Sequence, residues 1–274
     1  MKKLEKRVAL NRPNKKATEK PDPKTTSTNK TGESKRMKSY IFDFFMLFLA
    51  VFCGYLAQWQ LENSGEHRRE RQFIQSLAED IKKDTSVLTV YINFNQNRLY
   101  YCDSLQGYIR LTGNPVESNR FYDYSRELAR YLRYFSTDRT IQQLKNAGNM
   151  RLIRDVEVSN AITDYDNKTK YLNEIDQRLI GEIGKYRDLL VGTLDLEDYD
   201  TQNPQGSFMA NGIITKGNPG YIKMNSEYLK TYYNQAFTLK TFLNEVLYSA
   251  EDLKKEAVLL LDLLQREYNM DKPF

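Results

Sequence analysis

Residues 226–269 read SEYLKTYYNQAFTLKTFLNEVLYSAEDLKKEAVLLLDLLQREYN. If Leu229 is placed at position a of a heptad, every a and d position from Leu229 to Leu264 is apolar or aromatic, as in helices that pack side by side. These positions are Leu229, Tyr232, Ala236, Leu239, Leu243, Val246, Ala250, Leu253, Ala257, Leu260 and Leu264. The alanines among them leave room for a neighbouring helix to approach closely. The stretch therefore predicts one long helix packed against other helices.

Two more long helices are predicted upstream. The first begins near Glu66 and shows helical, partly heptad apolar spacing until Gly113-Asn114-Pro115 stops it. The second covers about residues 155–194 and carries apolar residues on one side. These residues are Val158, Ile162, Tyr165, Leu172, Ile175, Leu179, Ile183, Tyr186 and Leu190. We therefore predict an all-α fold.

The region between these two helices is expected to consist of shorter pieces. A helix is predicted from about Val116 to Tyr134, and residues 136–138 (Ser-Thr-Asp) offer N-caps for the next one. Gly148 is expected to end that helix in the left-handed conformation, and Asn149 to cap the short turn that follows. The pattern predicts a tight corner in the chain.

A long loop is predicted at residues 196–225, which are rich in Gly, Pro and Asn. Within it, Asn211-Gly212 between short apolar runs is typical of a small hairpin. The acidic residues Glu197, Asp198 and Asp200 could form a weak calcium or partner site, although the EF-hand spacing is missing.

Residues 41–61 read IFDFFMLFLAVFCGYLAQWQL, and Asp43 is their only charged residue. As a helix they would measure about 31 Å, which is close to the hydrocarbon thickness of a bilayer. A buried core helix is the alternative. A cleaved signal peptide fits less well, because a long charged segment precedes the run and no small-residue cleavage site follows it. A lipoprotein anchor at Cys53 fits less well, because the bulky Phe52 precedes the cysteine where a small residue is expected. We predict a transmembrane helix over residues 40–61 that acts as an uncleaved signal anchor.

The distribution of charge predicts the orientation of this span. Residues 1–40 contain 13 Lys and Arg against 4 acidic residues, whereas basic and acidic residues nearly balance after residue 61. Residues 1–39 have too few apolar side chains to fold and predict a disordered basic tail. The positive-inside rule places this tail in the cytoplasm and residues 62–274 outside, in the periplasm of a bacterium. We therefore expect a single-pass protein of the bacterial inner membrane, with its tail on anionic lipid.

Similar helix lengths suggest the architecture. The three long helices would each measure ~60–70 Å and could lie side by side. We predict an elongated antiparallel helical bundle over residues 62–274, into which the transmembrane helix continues. Residues 116–154 would form a broken fourth leg, and the 196–225 loop would connect the last two helices. The sequence leaves the order of the helices open.

Side chains for metal or nucleophile chemistry are scarce. His67 is the single histidine, so a HExxH zinc site cannot form, and the paired Glu-x-x-His motifs of di-iron bundles are also absent. Cys53 and Cys102 lie far apart in the sequence, and no disulfide is expected. We predict no catalytic, cofactor-binding or metal-binding residue, and we interpret His67 as an interfacial residue between Glu66 and Arg68.

Two polar patterns have both a structural and a functional interpretation. One consists of the carboxylates Glu79, Asp80, Asp84, Glu251 and Asp252, which we interpret as solvated helix faces. The other is the stretch FYDYSRELARYLRYF at residues 121–135, whose Arg and Tyr side chains could stack on bases or sugars, or line the edge of a bundle. Nucleic acid is not expected as a partner, because this segment is predicted to lie outside the cytoplasm.

The predicted span itself has two notable features. Asp43 could be functional, as acidic residues in membranes often are, but in the first turn it also complements the helix dipole. Ala50 and Gly54 form a small-xxx-small pair that could bring two spans together. With the heptads, this pair suggests a homo-oligomer.

Two blocks of the sequence resemble a known group of proteins. Residues 43–63, DFFMLFLAVFCGYLAQWQLEN, are followed by EHRRERQFIQSLAEDIKKDTSVL at residues 66–88, and a second block is STDRTIQQLKNAGNMRLIRDVEVSNAITDYD at residues 136–166. Both resemble a family of uncharacterised single-span membrane proteins of Bacteroidota, and they cover roughly a third of the chain. The long Lys-rich tail departs from that family. The resemblance implies a bacterial inner-membrane anchor and a helical domain, and no activity.

These observations predict a non-enzymatic, membrane-anchored interaction or scaffold protein. Its expected partners are the lipid bilayer, a second copy of the chain or another envelope protein. The alternative is an extracytoplasmic sensor that binds a small ligand and signals through the span. A buried polar pocket would favour the sensor, and a Leu/Ala core with an exposed apolar stripe would favour the scaffold.

Overall fold

The computed structural model describes residues 30–112, 119–146, 148–195 and 224–270. Every regular element in these ranges is a helix, so the all-α prediction is confirmed for them. The α-helices are α1 (Lys30–Thr112), α2 (Asn119–Leu128), α3 (Arg139–Asn146), α4 (Val156–Thr193) and α5 (Ser226–Tyr268), and a 3₁₀ helix covers Asn149–Leu152. The chain divides into two units, Met1–Leu61 and Glu62–Phe274.

The first unit contains the predicted span. Residues 39–61 are helical and exposed throughout, and their surface is formed by large apolar side chains such as Phe44, Phe48, Phe52 and Trp59. Within the described ranges, α1 is the one helix that is long and apolar enough to cross a membrane.

In the second unit, α1 buries one continuous stripe of side chains. The buried positions alternate in steps of three and four residues: Ile74, Leu77, Ile81, Asp84, Leu88, Tyr91, Asn95, Arg98, Cys102 and Leu105. This is the heptad spacing of a helix that packs along its whole length. Three of its positions are occupied by polar residues, Asp84, Asn95 and Arg98.

Helices α4 and α5 follow the predicted pattern closely. All the predicted apolar positions of both helices are buried. Asp155 caps α4 by accepting from the amide of Val158, and Asn225 caps α5 by accepting from the amide of Tyr228. At the other end of α5, Asn269 adopts a left-handed conformation.

Side-chain contacts give the direction of packing. Glu157 pairs with Arg266, Lys168 with Glu256, and Thr193 with Tyr232. Residue numbers therefore rise along α4 as they fall along α5, and these two helices pack antiparallel.

The region between α1 and α4 differs from the prediction mainly at the end of its first helix. The helix predicted to extend to Tyr134 ends at Leu128, and residues 130–138 have no regular structure. The following helix and its stop agree with the prediction: α3 ends at Asn146, and Gly148 has a φ of +64°. The predicted helix stop at 113–115, the Asn211-Gly212 hairpin and the acidic run at 197–200 lie outside the described residues.

Candidate interaction site in the corner segment

Residues 129–146 and 148–155, here called the corner segment, join α2 to α4 and contain the longest irregular stretch of the described domain. Because residues 130–138 form no regular helix, most of their backbone polar groups need partners elsewhere. The amide of Thr137 donates to Asp84 Oδ1 at 2.6 Å. The Nε of Arg187 donates to the carbonyl of Ala129 at 2.7 Å. Side chains of α1 and α4 thus replace the missing helical hydrogen bonds.

A buried tyrosine–aspartate network lies beneath this stretch. Tyr165 donates to Asp84 Oδ2 at 2.7 Å, and Tyr91 donates to Asp176 Oδ1 at 2.5 Å. The ring of Tyr134 packs between these pairs, 5.8 Å from the ring of Tyr91. The network connects α1, α4 and the corner segment inside the core.

Burial dominates the electrostatics of this network. It raises the pKa of Asp84 and of Asp176, although the hydrogen bonds from Tyr165 and Tyr91 oppose the shift. It also raises the pKa of both tyrosines, so their hydroxyls remain donors. The arrangement suits a structural clamp.

Arg98 closes the end of α2. It is buried in the core, where burial lowers the pKa of its guanidinium to about 10. Its Nη2 donates to the carbonyl of Leu128 at 3.2 Å, and its Nη1 donates to Asn95 Oδ1 at 3.2 Å. Together with Arg187 on Ala129, this contact gives the physical reason why the helix ends earlier than predicted: one arginine binds the carbonyl of its last residue, and the other binds the carbonyl of the residue that follows.

Carboxylates fix α3 at both ends. Asp80 accepts from the amide and hydroxyl of Thr140 at the start of the helix. Lys145, near its end, donates to Asp166 on α4 at 2.6 Å. Although burial raises the pKa of Asp166, hydrogen bonds from Lys145 and Lys170 hold it below its ordinary value. The position of α3 is therefore set by charge as well as by its apolar side.

The turn after α3 differs slightly from the prediction. Gly148 takes the left-handed conformation as expected. Asn149, however, is the first residue of the 3₁₀ helix and does not cap it. The side-chain amide of Asn149 instead donates to the carbonyl of Gln143 at 3.4 Å. It therefore binds the carbonyl end of α3, because Gly148 already occupies the cap position.

The far end of the corner segment meets the start of the second unit. Glu70 is buried and accepts from the amide of Arg154 at 3.0 Å and from the hydroxyl of Tyr268 at 2.7 Å. The guanidinium of Arg154 donates to His67 Nε2 at 2.8 Å and to Asn63 Oδ1 at 2.7 Å. The single histidine thus contacts the corner segment.

The outer side of the corner segment displays aromatic rings. Phe135 is 66% exposed and Tyr131 45% exposed. The guanidinium of Arg133 lies 5.1 Å from the ring of Phe135, and that of Arg187 lies 4.8 Å from the ring of Tyr131. An open groove of about 540 Å³ runs from Phe135 towards Asn173 on α4. Rings and guanidinium groups of this kind carry much of the energy in protein interfaces.

One interpretation of the polar patterns needs correction, and the other pattern divides between core and surface. The residue types predict a solvated face for Asp80 and Asp84, but both are buried, whereas Glu79 and Glu251 are exposed as expected. Five of the 15 residues in the Arg/Tyr-rich stretch are buried, among them Phe121, Tyr122 and Tyr134, and the others are half-buried or exposed. Tyr131 and Phe135, near the end of this stretch, are exposed on the surface.

The two cysteines belong to different units of the chain. Cys53 is exposed in the first unit, and Cys102 is buried in the second. Among the residues with described side chains, no three His, Cys, Asp or Glu lie close enough to hold a metal ion.

No protein-family model matches the chain, and neither a curated protein nor a solved structure shows significant similarity to it.

Proposed function

We propose that this chain is a membrane-anchored, non-enzymatic interaction or scaffold protein, whose residues 62–274 form an antiparallel helical bundle. The observation that carries the proposal is the corner segment. Its non-helical backbone is held by side chains of the neighbouring helices, such as the buried Asp84 and the half-buried Arg187, while Phe135 and Tyr131 face solvent. A loop that is rigid before binding loses little conformational entropy when it docks.

The apolar surface of residues 39–61 supports the membrane anchor. Such a continuous exposed apolar helix is stable in lipid and costly in water. We propose a signal anchor in the bacterial inner membrane, with a cytoplasmic N-terminus and a periplasmic C-terminal domain, from the excess of basic residues before the span. The basic tail would bind anionic lipid. The resemblance to single-span Bacteroidota proteins agrees with this location.

The roles of the buried acids support a non-enzymatic function. Glu70, Asp80 and Asp84 each accept hydrogen bonds from backbone amides of the corner segment. A carboxylate used in this way is committed to holding the fold.

The proposed partner is a second copy of the chain or another envelope protein. Self-association is supported by Ala50 and Gly54 on the span, where nothing lies within 4 Å of a Cβ added to Gly54. The alternative function, a sensor of a small ligand, is favoured by one observation: a groove lined with side-chain amides on α3.

Site-specific photo-crosslinking tests the proposal. A benzoylphenylalanine in place of Phe135 should give a discrete adduct in intact cells, which mass spectrometry identifies as this chain or as an envelope protein. Phe237 on α5 is the matched control, because it is a phenylalanine with nearly the same exposure, 61%. Adducts at 135 but not at 237 would support the proposal. The absence of a discrete adduct at 135, or equal adducts at both positions, would contradict it.

A further inference from the structure

The corner segment carries a second surface, which shares no residue with the groove at Phe135. Two adjoining hollows of about 370 and 350 Å³ lie between α3 and the part of α1 near Phe73. Both hollows are lined by Phe73, Gln143 and Asn149. Gln142 and Asn146 complete the first hollow, and Arg69, Gln72 and Ser76 complete the second. We call this surface the amide groove.

The chemistry of the amide groove is neutral and rich in hydrogen-bonding groups. Its lining contains five side-chain amides, one hydroxyl, one aromatic ring and a single cation, Arg69, and it contains no carboxylate. Each amide offers an acceptor and two donors in one plane. A ligand whose groups both donate and accept, such as a hydroxyl-rich molecule, satisfies such side chains better than an ion does.

Much of this hydrogen-bonding capacity is unused inside the protein. Among the described residues, the side chains of Gln72, Gln143 and Asn146 make no hydrogen bond with the chain. Gln142 donates to Asp138 at 3.3 Å, and Asn149 donates to the backbone carbonyl of Gln143 at 3.4 Å. Both hydrogen bonds are long. The amides are therefore available to a ligand.

The groove is also rigid. Phe73 is half-buried and packs against the core, and α3 is fixed by Asp80 at its start and by Asp166 near its end. Gly148 sets the direction of the chain that carries Asn149. Side chains on supported elements hold a binding geometry more precisely than side chains on a free loop.

We propose that the amide groove binds a neutral saccharide of at least two rings. Its apolar C–H face would lie on Phe73, and its hydroxyls would bind Gln143, Asn146 and Asn149. A peptide would need apolar pockets for alternate side chains, and an anionic polymer would need several cations. The groove offers one ring and one cation. A saccharide fits its chemistry best.

Binding should be tested with the full chain in phosphatidylcholine nanodiscs, which avoids sugar-based detergents. The probes are cellotetraose and tetra-N-acetylchitotetraose, with tetraalanine as the peptide comparison, measured by saturation-transfer NMR and calorimetry. We expect at least one saccharide to bind with a millimolar or tighter Kd. The double variant Gln143→Ala, Asn146→Ala should weaken that binding at least tenfold.

The matched control is Asn93→Ala, Asn97→Ala, which removes two exposed amides from α1 outside the groove. Binding should be unchanged in this control, and thermal unfolding should show that both double variants fold, since alanine is the best helix former. The proposal is overturned if neither saccharide binds, if the groove variant binds as well as wild type, or if only tetraalanine binds. The crosslinking result at position 135 is independent of each of these outcomes.

Discussion

The α4–α5 pair and the corner segment lie in the same unit but are stabilised in different ways. The pair is held by a long row of interchangeable apolar contacts, in which Ala250, Leu253 and Ala257 are fully buried. The corner segment is held by a few specific hydrogen bonds, such as those of Asp84 and Arg187 to its backbone. An apolar row tolerates small changes of size, because no group in it needs a particular partner. A buried hydrogen bond fails completely when one partner is removed.

The largest expected effect comes from a charge placed in the apolar row. Leu243 is fully buried in α5. Leu243→Asp removes its packing and buries an unpaired carboxylate, so we expect a loss of about 5 kcal/mol or more in the free energy of unfolding. At that size the second unit should not fold. Circular dichroism during urea titration of the purified full chain measures this.

The control for this variant is on the same helix. Leu259 is 53% exposed, and Leu259→Asp should change stability by no more than about 0.5–1 kcal/mol. If Leu243→Asp unfolded at the same urea concentration as Leu259→Asp, the heptad assignment of α5 would be wrong.

These two regions also differ in how much of them could be predicted from the sequence. The register of α4 and α5 follows from periodicity, because burial alone decides which side of each helix packs. The early end of α2 could not be predicted in this way. Residues 126–134 contain no glycine or proline, and the helix stops because Arg98 and Arg187, distant in sequence, bind the carbonyls of Leu128 and Ala129.

The buried acids are an intermediate case. Asp84 and Asp176 occupy positions in the alternating three-and-four spacing of α1 and α4, between Ile81 and Leu88 in one helix and between Leu172 and Leu179 in the other. Their spacing therefore predicts burial, although their residue type suggests solvent. Placing these two acids on the solvent-facing side of their helices because they are charged is therefore wrong. A charged residue at a core position of a heptad indicates a buried polar contact, but the sequence does not identify the partner.

An intermediate effect is expected from removing one clamp of the corner segment. Asp84→Ala leaves the hydroxyl of Tyr165 and the amide of Thr137 without their acceptor. Two buried groups without partners should cost about 2–4 kcal/mol. Because the damage is local, hydrogen exchange should accelerate at residues 130–146 much more than in α5.

The matched variant is Asp84→Asn, which keeps one carbonyl acceptor. Its carbonyl oxygen can still accept from the amide of Thr137, and its side-chain NH₂ can donate to the hydroxyl oxygen of Tyr165. We therefore expect the asparagine variant to lose no more than about 1 kcal/mol. If Asp84→Ala accelerated hydrogen exchange in α5 as much as in residues 130–146, the corner segment would not open independently of the helices.

The smallest effect concerns two glycines and should differ in sign between the two regions. Gly148 has a φ of +64°, which costs an L-residue about 1–2 kcal/mol, so Gly148→Ala should destabilise the corner by that amount. Gly181 lies inside α4, is exposed, and has nothing within 4 Å of an added Cβ. Gly181→Ala should therefore stabilise the domain by about 0.5–1 kcal/mol through helix propensity.

Urea unfolding of each single variant, compared with the unsubstituted chain, measures the two changes in the free energy of unfolding. Because neither added Cβ meets another atom, the difference in sign would come from backbone conformation alone. If Gly148→Ala were neutral, the corner would adopt its turn without a left-handed residue, and the fixed position of Asn149 beside Gln143 would lose its physical basis. If Gly181→Ala were destabilising, α4 would be packed at a position that the structure leaves open.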